Sequence, residues 1–120
     1  MTQTILLVDD NEANMILLHE LLEFEYDVIP AMDGEFALQC ACEDHPDLIL
    51  LDLVMPGIDG LEICKRLKSD PNTASIPVVF LTGMTDNETL EKVYAIGASD
   101  LICKPIDPES LFSCIRKHIA

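Results

Sequence analysis

The sequence predicts a doubly wound α/β domain, in which helices cover both faces of a central parallel sheet. Short apolar runs alternate five times with segments of helical period, which is the pattern of repeated strand–helix units. The runs are apolar throughout, as expected of strands that are buried on both faces. The chain has 120 residues and 49% of them are hydrophobic, so we expect a single domain over residues 1–120 with a substantial core.

Five strands and five helices are expected to follow one another in strict alternation. The strands are predicted at Thr4 to Val8, near Asp27 to Ile29, at Leu48 to Leu51, at Val78 to Leu81 and at Leu101 to Cys103. Because crossovers are right-handed and winding in both directions covers both faces, these units predict a flavodoxin-like sheet with strand order 2-1-3-4-5.

The helices are predicted from their apolar period and their end signals. The first is expected over about Glu12 to Phe24, and the fifth has Asp107 as its N-cap. Gly97 is placed as the stop of the fourth helix. The second helix is expected to bury one stripe, which consists of Phe36, Ala37, Cys40 and Ala41.

Composition excludes several functional classes. With 22 acidic and 7 basic side chains, the formal net charge of -15 repels phosphate backbones, so we expect no direct nucleic-acid binding. The apolar runs are strand-sized and far below the roughly 20 residues that cross a bilayer, so no membrane association is expected. The N-terminus shows no secretory signal, which makes the cytoplasm the expected compartment.

The cysteines and histidines give no metal motif in the sequence. The five cysteines are expected to be reduced core residues, because their number is odd and most lie among apolar residues. No C-x-x-C pair is present, and the three histidines are scattered through predicted helices. We therefore expect no role in metal binding for any of the eight.

The residues that directly follow the strands are complementary in charge and in hydrogen bonding. Asp9-Asp10 follows the first strand, Asp52 the third, Thr82-Gly83 the fourth and Lys104-Pro105 the fifth. Taken singly, each has an ordinary explanation: the acidic pair and Thr82 as helix caps, and Lys104 as a solvated surface charge. Together they converge, because the carboxyl ends of parallel strands meet at one edge of the sheet.

This convergence predicts phosphoryl-transfer chemistry. Three carboxylates at one edge repel one another unless a cation joins them, and Mg²⁺ is the hard, oxygen-binding ion that suits them. The Lys104 ammonium and the Thr82 hydroxyl would each bind a phosphoryl oxygen. Asp52 would then be the nucleophile that forms an aspartyl phosphate.

At these residues the chain resembles the receiver domains of two-component signalling, over essentially its whole length. The resemblance rests on Val8-Asp9-Asp10-Asn11, Leu51 to Gly60, Leu81-Thr82-Gly83 and Cys103-Lys104-Pro105. It implies phosphorylation of Asp52 by a sensor histidine kinase or a histidine phosphotransfer protein, and signalling to a downstream protein or a fused output domain. A receiver is not an enzyme in the usual sense, because it catalyses only its own phosphorylation and dephosphorylation.

The resemblance also implies the detail of the metal site. Asp10, Asp52 and the Val54 carbonyl would bind Mg²⁺ directly, whereas Asp9 would act mainly through water. The Lys104-Pro105 peptide would be cis.

Two departures from the family pattern concern signalling. An aromatic residue is common three positions before the lysine, and this chain has Leu101 there. Gly83 replaces a common alanine after the threonine. Val54 and Met84 are expected to flank the phosphoryl group, where their apolar side chains would alter the access of water.

Three alternatives stay open at the sequence level. A phosphatase of the haloacid dehalogenase type would need an Asp-x-Asp nucleophile after the first strand, whereas this chain has an adjacent pair there. A flavodoxin would need a phosphate loop, and the acidic Asp9 to Glu12 segment repels the phosphate of FMN. A pseudo-receiver would keep the fold and act only as a protein-binding module.

Overall fold

The computed structural model of the protein describes residues 2–55, 57–83 and 86–119. Five strands alternate with five helices along the chain. In order they are β1 (Thr4–Val8), α1 (Glu12–Leu22), β2 (Asp27–Ala31), α2 (Gly34–Asp44), β3 (Leu48–Asp52), α3 (Gly60–Ser69), β4 (Val78–Thr82), α4 (Asn87–Ala95), β5 (Asp100–Cys103) and α5 (Pro108–His118).

The strands form one parallel sheet in the order β2-β1-β3-β4-β5. This confirms the predicted fold class and strand order. β3 and β4 are apolar up to their last residue and buried along their whole length. β2 runs two residues further than predicted and includes Pro30, which is tolerated because β2 lies at the edge of the sheet.

The helices form two layers, one on each face of the sheet, and each layer packs on its own apolar core. The core on one face joins β-strand side chains to α2, α3 and α4, and the core on the other face joins them to α1 and α5. Phe80 and Ile63 are fully buried in the first core, and Leu22 and Ile115 are fully buried in the second. The sheet is therefore held from both sides, which fixes the positions of its strand ends.

Each helix begins after an Asn or Asp whose side chain accepts a hydrogen bond from the N–H three residues later. This satisfies one of the four N–H groups that a helix start leaves without a partner. The five N-caps are Asn11, Asp33, Asp59, Asp86 and Asp107. Gly97 has a φ of 100°, as expected of a residue that ends a helix in the left-handed region.

Two local predictions were wrong. Phe36 is 47% exposed, because the inward stripe of α2 is Ala37, Cys40 and Ala41, and Phe36 lies about 100° around the helix from Ala37. α1 ends at Leu22, so Phe24 lies beyond it and is 88% exposed.

The cysteines were predicted to be core residues, and this is confirmed only for Cys40 and Cys64. Cys42 and Cys103 are exposed and Cys114 is half-buried. All five are free thiols. Among the described residues no helix combines the length and the apolar character needed to cross a membrane.

Candidate functional site

The acidic residues meet at the carboxyl edge of the sheet because β1 and β3 are neighbours in register. Val8 pairs with Leu51, so Asp9 and Asp52 follow at the same level of adjacent strands. One carboxylate oxygen from each of Asp9, Asp10 and Asp52 lies within 4.8 Å of the others. The three carboxylates that the sequence singled out therefore form one cluster.

Asp9 is fully buried at the base of this cluster. Its Oδ1 accepts a hydrogen bond from the Asn11 N–H at 2.9 Å, which fixes the orientation of the carboxylate. Its Oδ2 is buried and accepts no hydrogen bond from any group in the described part of the chain. Burial raises the pKa of Asp9; the Asn11 N–H opposes this, and the negative charge of Asp52 adds to it. An oxygen buried without a donor is costly unless a cation or a water binds it.

Asp52 lies at the centre of the site and is only 5% exposed. Its Oδ1 lies 3.3 Å from Lys104 Nζ and 3.4 Å from the Val54 backbone nitrogen, which donates to it. Its backbone is held in the sheet opposite Leu81 of β4. The carboxylate is thus presented at the middle of the sheet edge, beside a positive charge.

The positions of Lys104 and Thr82 follow from the pairing of β4 with β5. Thr82, the last residue of β4, is paired with Cys103 and is 2% exposed. The Lys104 N–H donates to the Thr82 carbonyl at 2.8 Å, which continues the ladder one residue beyond β5. The Lys104-Pro105 peptide is cis, as the resemblance implied.

Gly60 belongs to the segment on which the resemblance rests, but the sequence analysis gave it no role in the site. A Cβ atom at this position would lie 2.6 Å from the Asp52 carbonyl oxygen and 2.8 Å from the Leu53 Cα. The first residue of α3 therefore packs directly against the backbone of Asp52 and Leu53. The signal in the sequence was a glycine directly after an N-cap aspartate, a place where glycine has no advantage unless backbone approaches closely.

The structure brings Asp9, Asp10, Asp52 and Lys104 together and places Thr82 and Val54 on the same edge. Val54 contributes an N–H to Asp52, and its side chain is 62% exposed. Met84, predicted to flank the phosphoryl group, lies outside the described residues.

The donor atoms of this edge fit a hard divalent cation. The three clustered side chains offer only carboxylate oxygens, which are the ligands that Mg²⁺ prefers. Bound positive charge would oppose their mutual repulsion and would satisfy the buried Oδ2 of Asp9. The acidic cluster is therefore a candidate magnesium site.

A doubly wound parallel sheet that carries three carboxylates and a lysine at its carboxyl edge is typical of the receiver class of signalling domains. Comparison with known families agrees with that class. Residues 5–116 match the family described as "Response regulator receiver domain". The chain belongs to this family of two-component signalling domains.

Named relatives are found both among longer proteins and among chains of similar length. The chain is 48% identical over 117 residues to the response regulator PleD of Caulobacter vibrioides, covering 97% of this chain and 26% of PleD. It therefore spans about a quarter of that relative. It is 37% identical over 120 residues to the polar-differentiation response regulator DivK of Brucella ovis, covering 99% of this chain and 98% of DivK.

A solved structure of a receiver domain supports the fold. The receiver domain of the sensor histidine kinase PA1611 from Pseudomonas aeruginosa superposes with a TM-score of 0.91 at 28% identity, covering 99% of this chain and 98% of that domain. That structure holds a magnesium ion coordinated in its active-site cleft.

Proposed function

We propose that this chain is a phosphoacceptor receiver domain, with residues 1–120 acting as one unit, and that Asp52 is its phosphorylation site. The observation that supports this most is the position of the Asp52 carboxylate between the acidic pair and Lys104, 3.3 Å from the lysine nitrogen. The phosphodonor is a sensor histidine kinase or a histidine phosphotransfer protein. In the transfer, the P–N bond of the phosphohistidine breaks as an Asp52 oxygen forms a P–O bond to phosphorus.

Each residue of the edge has a separate task in this proposal. Lys104 neutralises a phosphoryl oxygen, because it already faces Asp52 from the end of β5. Thr82 donates its hydroxyl to a second phosphoryl oxygen from the end of β4. These interactions orient the phosphoryl group and offset its negative charge as it approaches the Asp52 carboxylate, so they favour the transfer.

Asp9, Asp10, Asp52 and the Val54 carbonyl would hold Mg²⁺, with Asp9 acting mainly through water. When bound, this ion supplies positive charge that offsets the charge of the phosphoryl oxygens. The Asn11 N–H holds Asp9 in place by its Oδ1, and the buried Oδ2 has no hydrogen-bond donor in the described part of the chain. Because the Asp9 carboxylate is already oriented, ordering it costs little of the free energy of metal binding.

The docking surface for the phosphodonor is proposed beside the site on α1. Ile16 and Leu17 are large apolar side chains that are 52% and 57% exposed. A cleft of about 260 Å³ runs from Leu17 to Asp9 and Lys104. A helical partner that covers these apolar residues would place its phosphohistidine at the edge of the sheet.

Partners downstream are proteins or a fused output domain, because the net charge of -15 opposes binding to nucleic acid. The cytoplasm is the proposed compartment. The exposed Cys42 and Cys103 are free thiols, and such thiols persist where the surroundings are reducing.

The test is phosphorylation by a small donor such as acetyl phosphate or phosphoramidate in the presence of Mg²⁺. Intact mass should rise by one phosphoryl group in the wild type, and peptide mapping should place it on Asp52. Asp52→Asn should not gain this mass. Asp59→Asn is the matched control, because it alters a nearby carboxylate while an Asn still caps α3. Equal labelling of Asp52→Asn and the wild type would sink the assignment, because the acceptor would then be another residue. No labelling of the wild type would favour a pseudo-receiver.

A further inference from the structure

A second group of metal-ligating side chains lies at the opposite end of β5 from Lys104. Asp100 is the first residue of β5, and Cys114 and His118 are one turn apart on α5. Asp100 Oδ2 lies 3.0 Å from His118 Nε2 and 3.5 Å from Cys114 Sγ. The three ligand atoms all lie within 4.8 Å of one another. At Cys114 and His118 this arrangement differs from the expectation that the cysteines and histidines have no part in metal binding.

We propose that Asp100, Cys114 and His118 form a zinc-binding site with its fourth position open to water. The donor set of one oxygen, one sulfur and one nitrogen suits Zn²⁺ and is unlike the all-oxygen set at Asp52. Zn–S and Zn–N bonds of about 2.3 and 2.0 Å in a tetrahedron place ligand atoms roughly 3.4–3.6 Å apart. The 3.5 Å between Asp100 Oδ2 and Cys114 Sγ matches this edge, and the 3.0 Å to His118 needs to widen only slightly.

The ligands are held in this arrangement by the fold. The Leu101 N–H donates to Asp100 Oδ1 at 2.9 Å, so that Oδ2 faces α5. Cys114 and His118 are four residues apart on α5, the spacing that puts two ligands on one helix face. His118 is the last residue of α5, where the helix dipole favours a cation. Such supporting contacts normally orient the ligands of a zinc site.

The surroundings give an ion access. All three residues are half-buried, and a cleft of about 630 Å³ borders Asp100 and Cys114. One positive charge opposes binding: Lys117 Nζ lies 3.9 Å from Asp100 Oδ2. The Lys117 side chain is 71% exposed, so it can turn into solvent when the ion binds. The thiol proton of Cys114 would leave to solvent at the same step, because the ligand is the thiolate.

This site would connect the start of β5 to the end of α5 and would stabilise their packing by binding only the folded chain. It does not depend on the proposed phosphorylation of Asp52. A protein that fails to accept a phosphoryl group could still bind zinc, and the reverse also holds. The two proposals are therefore separable by experiment.

The test begins with Co²⁺ titration of the reduced, metal-free protein, with excess Mg²⁺ present to occupy the acidic cluster. A thiolate-to-cobalt charge-transfer band should saturate at one ion per chain, and Zn²⁺ should displace it. Cys114→Ser should abolish the band. His118→Gln should weaken binding at least about 100-fold, since loss of even an outer partner costs about 10–100-fold.

Cys42→Ser is the matched control. Cys42 Sγ lies 3.6 Å from Asp70 Oδ2, so it forms a similar thiol–carboxylate pair on an exposed surface. This variant should keep the band at wild-type strength. If the band survives in Cys114→Ser, or is lost in Cys42→Ser, the site is not the one proposed.

X-ray absorption of the zinc-loaded wild type provides a test that no variant can compromise by unfolding. The spectrum should contain one sulfur and three nitrogen or oxygen neighbours per zinc. A first shell without sulfur would overturn the proposal and would leave the three residues as a hydrogen-bonded contact between β5 and α5.

Discussion

Lys104 Nζ lies 3.3 Å from Asp52 Oδ1, although 52 positions of the chain separate the two residues. β4 runs between the strands that carry them, and its last residue, Thr82, is buried at the same edge. A negative, a positive and a hydroxyl side chain thus lie at the ends of three consecutive strands. Each contributes one kind of interaction to a group bound at Asp52.

Lys104→Ala should slow phosphorylation of Asp52 by about tenfold or more. Hydrogen bonds to charged groups contribute roughly 1.5–3 kcal/mol, and about 1.4 kcal/mol corresponds to a factor of ten. The rate is measured by intact mass during incubation with phosphoramidate and Mg²⁺. Lys92→Ala removes an exposed lysine that pairs with Glu88 and should react at the wild-type rate. A wild-type rate for Lys104→Ala would remove the lysine from the proposed mechanism.

Asp9→Asn should stabilise the metal-free protein by roughly 1 kcal/mol, about the size of one hydrogen bond. Burial and the charge of Asp52 raise the pKa of Asp9, so its ionised form is disfavoured in the fold. An Asn keeps the oxygen that accepts from Asn11, removes the charge and can donate to Asp52. The melting temperature without Mg²⁺ is the measurement, and a fall in it would contradict this account of the site.

The same scans test the metal site when Mg²⁺ is added. The wild type should melt higher with Mg²⁺, because an ion that binds only the folded chain stabilises it. Asp10→Ala should lose most of this rise, since it removes an exposed carboxylate of the cluster. Asp59→Asn, which is outside the cluster, should keep the full rise. An undiminished rise in Asp10→Ala would count against the proposed ligands.

Gly60→Ala should destabilise the fold by roughly 1–3 kcal/mol, the range for added volume in a packed site. The new Cβ would meet backbone atoms of Asp52 and Leu53, which cannot turn away as a side chain can. Chemical denaturation measures the loss. Gly83→Ala is the control, because a Cβ there meets nothing within 4 Å among the described residues. Equal stability of the two variants would show that α3 moves away from β3 at little cost.

The order of the strands could be predicted from general rules of topology, and the position of the acidic edge from local patterns combined with those rules. Asp52 and Lys104 each follow an apolar run, and a parallel sheet brings all such positions to one edge. Which face of a helix points inward is harder to predict from the sequence. Phe36 was placed inward because it is apolar, although Ala37 and Cys40 define the buried stripe of α2.

The cluster of Asp100, Cys114 and His118 could not be predicted for a related reason. The spacing of four between Cys114 and His118 is visible in the sequence, but its third member is not. Asp100 joins them because the start of β5 packs beside α5, where its Oδ2 contacts both side chains. A parallel sheet brings its strand ends together by rule, but no sequence pattern says which residue of a strand meets a given face of a covering helix.

The last prediction concerns how phosphorylation of Asp52 is communicated. A phosphoryl group adds charge and acceptor oxygens beside Lys104, and the Thr82 hydroxyl should turn to donate to it. In related receivers an aromatic residue on the fifth strand then fills the vacated space. Here that position is Leu101, which is half-buried and packs on the same core as α4.

Leu101 lacks a hydroxyl and is smaller than an aromatic ring, so we expect the response to travel mainly through the segment after Thr82 and α4. The measurement is the change in backbone NMR shifts when beryllofluoride, a mimic of the aspartyl phosphate, is added to the Mg²⁺ form. Thr82→Ala should suppress the changes on α4, whereas Leu101→Ala should leave most of them. Loss of the α4 changes in Leu101→Ala would instead mean that β5 carries the response, since its side chain would then be needed to couple the site to α4.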